Sequence, residues 1–297
     1  VLELKKYAAI DIGSNGVRLL ISNVVIPQNK EPLFRKSSLV RVPIRLGADT
    51  FLDGKISDEN IDRMVKAMDS YKRIMDIHKV ENYKACATSA LREATNGPEI
   101  VKEIYKKTGI KIDIIDGKTE AQIISQTDIK ELIEDNKSYL YVDVGGGSTE
   151  FTLFSKGELI TSKSFKIGTV RLLETPDEAK ADWKAAKKWV IEQTHSIKNL
   201  TLIGSGGNIN KIFKLSGKAQ MKPLSFDYLM EQYKNLSLMT YEERIIELSL
   251  NPDRADVIIP ALKIYTAAME WSNASKIYVP KIGLADGIVK MVYYGLL

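Results

Sequence analysis

The chain has one cysteine, Cys86, so no internal disulfide can form and no oxidising compartment is required. Cys86 lies in the apolar run Tyr83–Ala87, where a buried strand thiol is expected. No uninterrupted apolar stretch approaches the roughly 18 residues of a membrane-spanning helix, and the first residues enter a strand without a signal-peptide pattern. A cytoplasmic protein with no membrane association is the expectation. A strong charge of one sign is also missing. The formal net charge is +5, and Lys-rich stretches such as Asp182 to Lys198 mix both signs, as a solvated surface does and a nucleic-acid stripe does not. Low-complexity linkers are absent too. What remains is an ordinary globular composition, 44% hydrophobic and 27% charged over 297 residues, enough for two domains.

The most informative stretch is Val142-Asp143-Val144-Gly145-Gly146-Gly147-Ser148-Thr149-Glu150, an apolar strand that meets an acid, three glycines and a hydroxyl before extended structure resumes. Glycines reach positive φ and carry no side chain, so their backbone N–H groups can converge on an anion. Gly145, Gly146, Gly147 and Ser148 therefore read as a phosphate cradle. An acid beside a phosphate is repelled by about 1 kcal/mol in water at about 4 Å, and by about 4 kcal/mol at an effective dielectric constant near 20. Asp143 thus implies a bound Mg²⁺. A tight hairpin would use the same glycines, and an Asp at a strand end is also a common turn former.

A second copy strengthens the first reading. Ala9-Ile10-Asp11-Ile12-Gly13-Ser14-Asn15-Gly16 repeats the order of apolar strand, Asp, Gly and small polar residues before a new strand. Two related lobes are expected, each opened by a hairpin. A third turn, Gly204-Ser205-Gly206-Gly207-Asn208, follows an apolar strand and precedes a helix from about Ile209, whose N-terminus offers N–H groups.

Between these motifs, Leu33 to Leu46 reads as extended with a bend at Pro43, and Gly47 to Gly54 as turns. Ser57 opens a helix through about His78 carrying an apolar stripe of Ile61, Met64, Val65, Met68, Tyr71 and Met75. Thr88, Ser89 and Arg92 follow a strand end, where open sheets place ligand contacts. Arg92 either grips a phosphate bidentately or pairs with a neighbouring acid on a surface helix. Glu120 falls in the first turn of a helix from Lys118, where the macrodipole favours an acid. That helix is expected to cross between lobes near 125–133. Asn251-Pro252 should open one helix running to Trp271, kinked at Pro260.

With these residues in view, the chain resembles the exopolyphosphatase and guanosine pentaphosphate phosphatase family of the actin-like ATPase superfamily. The resemblance rests on Asp11 to Leu19, Ala87 to Arg92, Asp143 to Glu150, Gly168 to Leu172 and Arg254-Ala255-Asp256. It implies an α/β fold of two ribonuclease-H-like lobes, mixed sheets with flanking helices, around a central cleft. The first lobe would be 1–126, with the closing helix 283–297 as a candidate addition, and the second 127–282. The block Gly117-Lys118-Thr119-Glu120-Ala121 puts Glu120 at the catalytic position, as general base or as the group that orients water.

By the same resemblance Asp143, Glu150 and Asp11 hold Mg²⁺. Ser14, Asn15, Arg92, Ser148 and the glycines hold phosphate, with Arg45 as a further basic contact. The expected activity is release of terminal orthophosphate from inorganic polyphosphate or guanosine pentaphosphate by a homodimer. With only His78 and His195 present, both in charged helical segments, a histidine-phosphate route is disfavoured. Departures at Thr119, Gln122 and Ala285 remove charged groups and motivate an alternative, a non-hydrolytic nucleotide or alarmone sensor, and Asn208 is a further, uncharged departure in the third turn. A kinase or polymerising ATPase ranks below both. Longer relatives add helical domains, so this form is expected to grip long chains less processively.

Overall fold

The computed structural model describes residues 3–28, 30–127 and 137–297. The chain divides into two compact units, Val1–Thr127 with Leu284–Leu297, and Asp128–Gly283. The expected crossover near 125–133 lies mostly outside the described residues, beginning after the helix that ends at Ser125.

The first unit runs β1 (Glu3–Gly13), β2 (Gly16–Ile26), β3 (Leu33–Val42), α1 (Leu46–Asp53), α2 (Asp58–His78), β4 (Asn82–Ala87), α3 (Ser89–Glu93), α4 (Gly97–Thr108), β5 (Ile112–Ile114) and α5 (Gly117–Ser125). Its sheet has the order β3-β2-β1-β4-β5, antiparallel in the meander and parallel from β1 onward. The central strands are covered on both faces, so β1 reads Ala8-Ala9-Ile10 as a continuous buried run rather than alternating. The α2 stripe is the core contact. Met64, Met68, Tyr71 and Met75 are buried, Ile61 and Val65 pack at its margin, and the Tyr71 hydroxyl donates to the Val17 carbonyl at 2.9 Å. The stretch expected as turns, Gly47 to Gly54, is the helix α1. Leu46 and Phe51 bury its inner face, and Gly54 at φ 71° closes it as a left-handed cap.

The second unit runs β6 (Ser138–Val144), β7 (Thr149–Ser155), β8 (Glu158–Phe165), α6 (Thr169–Glu174), α7 (Ala179–Thr194), β9 (Thr201–Ser205), α8 (Gly207–Leu215), β10 (Leu224–Ser225), α9 (Phe226–Leu238), α10 (Tyr241–Ile246), α11 (Pro252–Ala255), α12 (Ile258–Trp271) and β11 (Lys276–Tyr278). Its sheet order is β8-β7-β6-β9-β11-β10. From the meander edge inward this repeats the plan of the first sheet, an antiparallel trio followed by parallel strands. The long helix expected from Pro252 is instead two helices. Asp256 and Val257 separate them, and Pro260 sits in the first turn of α12, where the missing N–H of proline costs nothing. α12 is apolar nearly all round because it is enclosed, with Ile258, Leu262, Ile264, Tyr265 and Met269 buried. The chain closes with α13 (Leu284–Tyr293), which packs in the first unit against β1, β2, β4 and α5.

Candidate active site

In the second unit Asp143 and Glu150 are directly opposed across the β6–β7 ladder, and Asp143 pairs in parallel register with Ser205. Glu150 is 2% exposed, and its Oε1 accepts from the hydroxyls of Ser148 and Ser164, each at 2.7 Å. Ser148 thus spends its hydroxyl on Glu150, so any phosphate contact from this residue comes from its backbone.

The glycine loop is built differently from the expectation. None of Gly145, Gly146 and Gly147 has positive φ, and neither do Gly13 and Gly16 of the first hairpin. The loop is instead fastened through its carbonyls. Gly145 O accepts from Thr169 N at 3.0 Å, Gly146 O from Val170 N and Arg171 N at 2.8 and 3.1 Å, and Gly147 O from Arg171 Nε at 2.9 Å. In a trans peptide the N–H points opposite to the preceding C=O. With three successive carbonyls turned to α6, the N–H groups of Gly146, Gly147 and Ser148 face away from it. Among the described residues none of the three donates a hydrogen bond in the loop, which is the arrangement of an anion nest. The close approach that demands glycine is at Gly168, where a Cβ would lie 2.3 Å from Gly146 O.

The third turn adjoins this hairpin. Ser205 O accepts from the Tyr265 hydroxyl, Ser205 Oγ donates to Ile282 O at 2.9 Å, and Gly206 has φ 125°. The Arg254 guanidinium lies over the start of α8, where a Cβ on Gly207 would stand 3.2 Å from Nη2. Burial, followed by the Asp143 charge, raises the Tyr265 phenol well above its ordinary value, so it remains a neutral donor.

In the first unit Asp11 is 8% exposed and opposes Arg18, whose Nη1 reaches Asp11 Oδ2 at 3.5 Å. Burial holds the Asp11 carboxyl above the ordinary value, with Arg18 opposing that shift. Glu120, 7% exposed, occupies the first turn of α5, whose N-cap Asp116 accepts from Thr119 N at 2.8 Å. Burial pushes the Cys86 thiol up to about 12, and Asp11 pairs with Cys86 in the parallel β1–β4 register. Cys86 is fully buried, as its apolar run implied.

The hairpin tip is held by its own polar groups. Ser14 Oγ meets Ser89 Oγ at 2.9 Å, Arg45 Nε donates to Asn15 Oδ1 at 3.3 Å, and Arg41 Nη2 donates to Asn15 O at 2.9 Å. Arg92 Nη1 donates to the Ile115 carbonyl at 2.7 Å, a main-chain tether that neither sequence reading anticipated. The structure thus brings Asp143, Glu150 and the glycine loop together in one unit, and Asp11, Ser14, Asn15, Arg45, Arg92 and Glu120 in the other. Ser164, Arg41 and Tyr265 carried no sequence signal, Ser89 was read as a ligand contact at a strand end, and Gly168 and Arg171 lay inside a motif without an assigned task.

A family model, the Ppx/GppA phosphatase family, matches residues 28–293. The chain belongs to the Ppx/GppA phosphatase family. It is 31% identical to a bifunctional 3-dehydroquinate synthase/phosphatase of Fusobacterium nucleatum over 92% of this chain, but spans only 44% of that protein. It is 26% identical to exopolyphosphatase 2 of Mycobacterium tuberculosis, covering 97% of this chain and 98% of the relative. A guanosine-5'-triphosphate,3'-diphosphate pyrophosphatase of Photobacterium profundum is 27% identical over 95% of the chain, which spans 58% of it.

Among solved structures, an exopolyphosphatase from Cytophaga hutchinsonii superposes with a TM-score of 0.84 at 23% identity, covering 99% of each chain. The Aquifex aeolicus Ppx/GppA family member gives 0.78 at 23%, again over 99% of each. These likenesses show that the chain has the fold of the Ppx/GppA structures, two mixed sheets with flanking helices. No helix among the described residues is long and apolar enough to cross a membrane.

Proposed function

We propose that this chain is a Mg²⁺-dependent phosphoanhydride hydrolase that releases terminal orthophosphate from inorganic polyphosphate, guanosine pentaphosphate or both. The observation that carries the proposal is the opposed pair Asp143 and Glu150 beside the outward-facing amides of Gly146, Gly147 and Ser148. Two acids next to an anion nest suit a divalent cation shared with a phosphate. Mg²⁺ typically binds one or two carboxylates and completes its shell with water and phosphate oxygens. Asp143 and Glu150 supply two such carboxylates on neighbouring strands. When bound, the ion supplies charge neutralisation on the phosphoryl oxygens.

The other assignments concern this chain's own groups. The loop amides bind and orient the phosphate, and Glu120 orients or deprotonates the attacking water. In-line displacement at phosphorus needs little more than positioning and charge stabilisation. The relatives are named as a phosphatase, an exopolyphosphatase and a pyrophosphatase, and nothing in those names favours the non-hydrolytic sensor. Homodimeric assembly and a cytoplasmic location belong to the same proposal.

The test is phosphate release from tripolyphosphate, long-chain polyphosphate, guanosine pentaphosphate and ATP, each with and without Mg²⁺. Metal-dependent release from at least one of the first three, faster than from ATP, is expected. No release from any of them, or release unchanged by chelation, would contradict the reading.

A further inference from the structure

The role assigned to Glu120 rests on the reading above, and the packing around α5 shows what fixes that residue. The N-terminus of α5 is pinned by Asp116, which accepts from Thr119 N at 2.8 Å through its side chain and from Glu120 N at 2.9 Å through its carbonyl. One turn further on, α5 meets α13 with no space between backbones. A Cβ built on Gly287 would stand 2.2 Å from the Ile123 carbonyl oxygen, 2.7 Å from Ile123 Cγ2 and 2.9 Å from its carbonyl carbon. A side chain could rotate away, but a helical carbonyl has no such freedom. Ordinary contact begins at 3.4 Å, so a methyl group here demands a displacement of about 1 Å, on the scale at which misplacing a catalytic group becomes costly.

The two helices are not equally free to yield. α13 is anchored to the sheet along its length. Lys36 Nζ lies 2.8 Å from Asp286 Oδ1 and 3.0 Å from Oδ2, immediately before Gly287. Further along, Tyr293 stacks edge-on against Tyr7 and Phe34 at centroid distances of 5.4 and 5.5 Å, and Lys290 Nζ sits 5.2 Å from the Phe34 ring centre. α5 is a nine-residue helix whose main contacts among the described residues are its cap and α13. A displacement at Gly287 therefore falls on α5 and carries Glu120 with it.

We infer that Gly287 is a positioning residue for Glu120: the absence of a side chain there lets the closing helix seat α5, and with it the carboxylate, in its working position. The residue acts through main-chain contact and touches no reacting atom. Gly287→Ala should lower kcat for tripolyphosphate about 100-fold with KM within threefold of wild type. Amide exchange at Ile123 and Ile124 should accelerate, while exchange in α2 and in the second unit stays unchanged. Loosening the anchor should restore function in part, so Asp286→Asn combined with Gly287→Ala should exceed the single Gly287→Ala variant in kcat by at least threefold.

Unchanged kcat together with unchanged α5 exchange would overturn the inference, and so would a rise in KM that accounts for the whole loss. If Gly287→Ala does not fold, the Asp286→Asn variant decides: a several-fold fall in kcat at constant KM supports the inference, and no fall overturns it. If wild type releases no phosphate from any substrate, the functional reading fails on its own, and faster or unchanged α5 exchange still decides whether Gly287 seats the helix.

Discussion

Asp143 stands directly opposite Glu150 on neighbouring strands, and at the matching place in the other sheet Asp11 stands opposite Arg18. The two sheets share one plan, yet one aspartate faces a second acid and the other a guanidinium. Like charges directly opposed in a ladder are destabilising, whereas opposite charges support it. The proposed Mg²⁺ site accordingly uses the acid pair of the second unit. Mg²⁺ should raise the melting temperature of wild type, with about 2.7 kcal/mol of added stability at a concentration 100-fold above Kd. Asp143→Ala should lose most of that shift in a calorimetric titration. A full shift in the variant would remove Asp143 from the metal site.

Two hydroxyls donate to Glu150 Oε1, that of Ser148 in the loop and that of Ser164 outside it. Ser164 lies on β8, opposite Glu150 in the ladder, and its hydroxyl donates to Glu150 Oε1 at 2.7 Å. Ser164→Ala should cost about 1.5 to 3 kcal/mol, the range for a hydrogen bond to a charged group. It should also weaken Mg²⁺ stimulation without removing it. Urea denaturation and a metal titration measure the two effects separately.

The glycine loop should tolerate no side chain at the residue that supports it from outside. A Cβ at Gly168 would contact Gly146 O at 2.3 Å and the carbonyl carbons of Gly146 and Gly147 at 2.4 Å. Gly168→Ala should destabilise the second unit by roughly 1 to 3 kcal/mol or more. The loop amides would be displaced as well, so phosphate affinity measured by calorimetry should fall even where the variant remains folded.

Acidification should loosen α5 through its cap. Asp116 is held below the ordinary carboxylate value, first by the Thr119 backbone N–H and then by the Thr119 hydroxyl. A carboxylate whose folded pKa is depressed contributes stability above its unfolded pKa of about 3.9, and that contribution is lost as pH falls through the lower folded value. Asp116→Ala should therefore cost about 1 kcal/mol at neutral pH and progressively less below about pH 4. Denaturation curves at pH 7 and pH 3 check the sign. A cost that grows on acidification would contradict it.

Much of the fold was legible because both hairpins carry the same written order of strand, acid, glycine and strand. Ser57 marked the start of α2, and the Met and Tyr spacing marked its buried face. The errors have physical causes. Gly47 to Gly54 looks like turns, yet Leu46 and Phe51 bury enough surface to hold a short helix. Pro260 looks like an internal kink, but the chain breaks earlier and places it where a helix accepts proline. The glycine loop falls between β6 and β7, where the sequence has it, but close approach at Gly168 rather than positive φ explains its geometry. Contacts such as Ser164 to Glu150 and Arg92 to Ile115 join residues far apart in sequence, and no local pattern announces them.

The central claim is that a buried carboxylate on α5 drives water onto a phosphoryl group. The direct measurement is the single-turnover rate of phosphate release from tripolyphosphate at saturating Mg²⁺, for wild type and for Glu120→Gln. The variant keeps the shape of the side chain and loses its charge, so the rate should fall by about 100-fold to 10,000-fold while tripolyphosphate binding is retained. Equal rates in the two proteins would contradict the account.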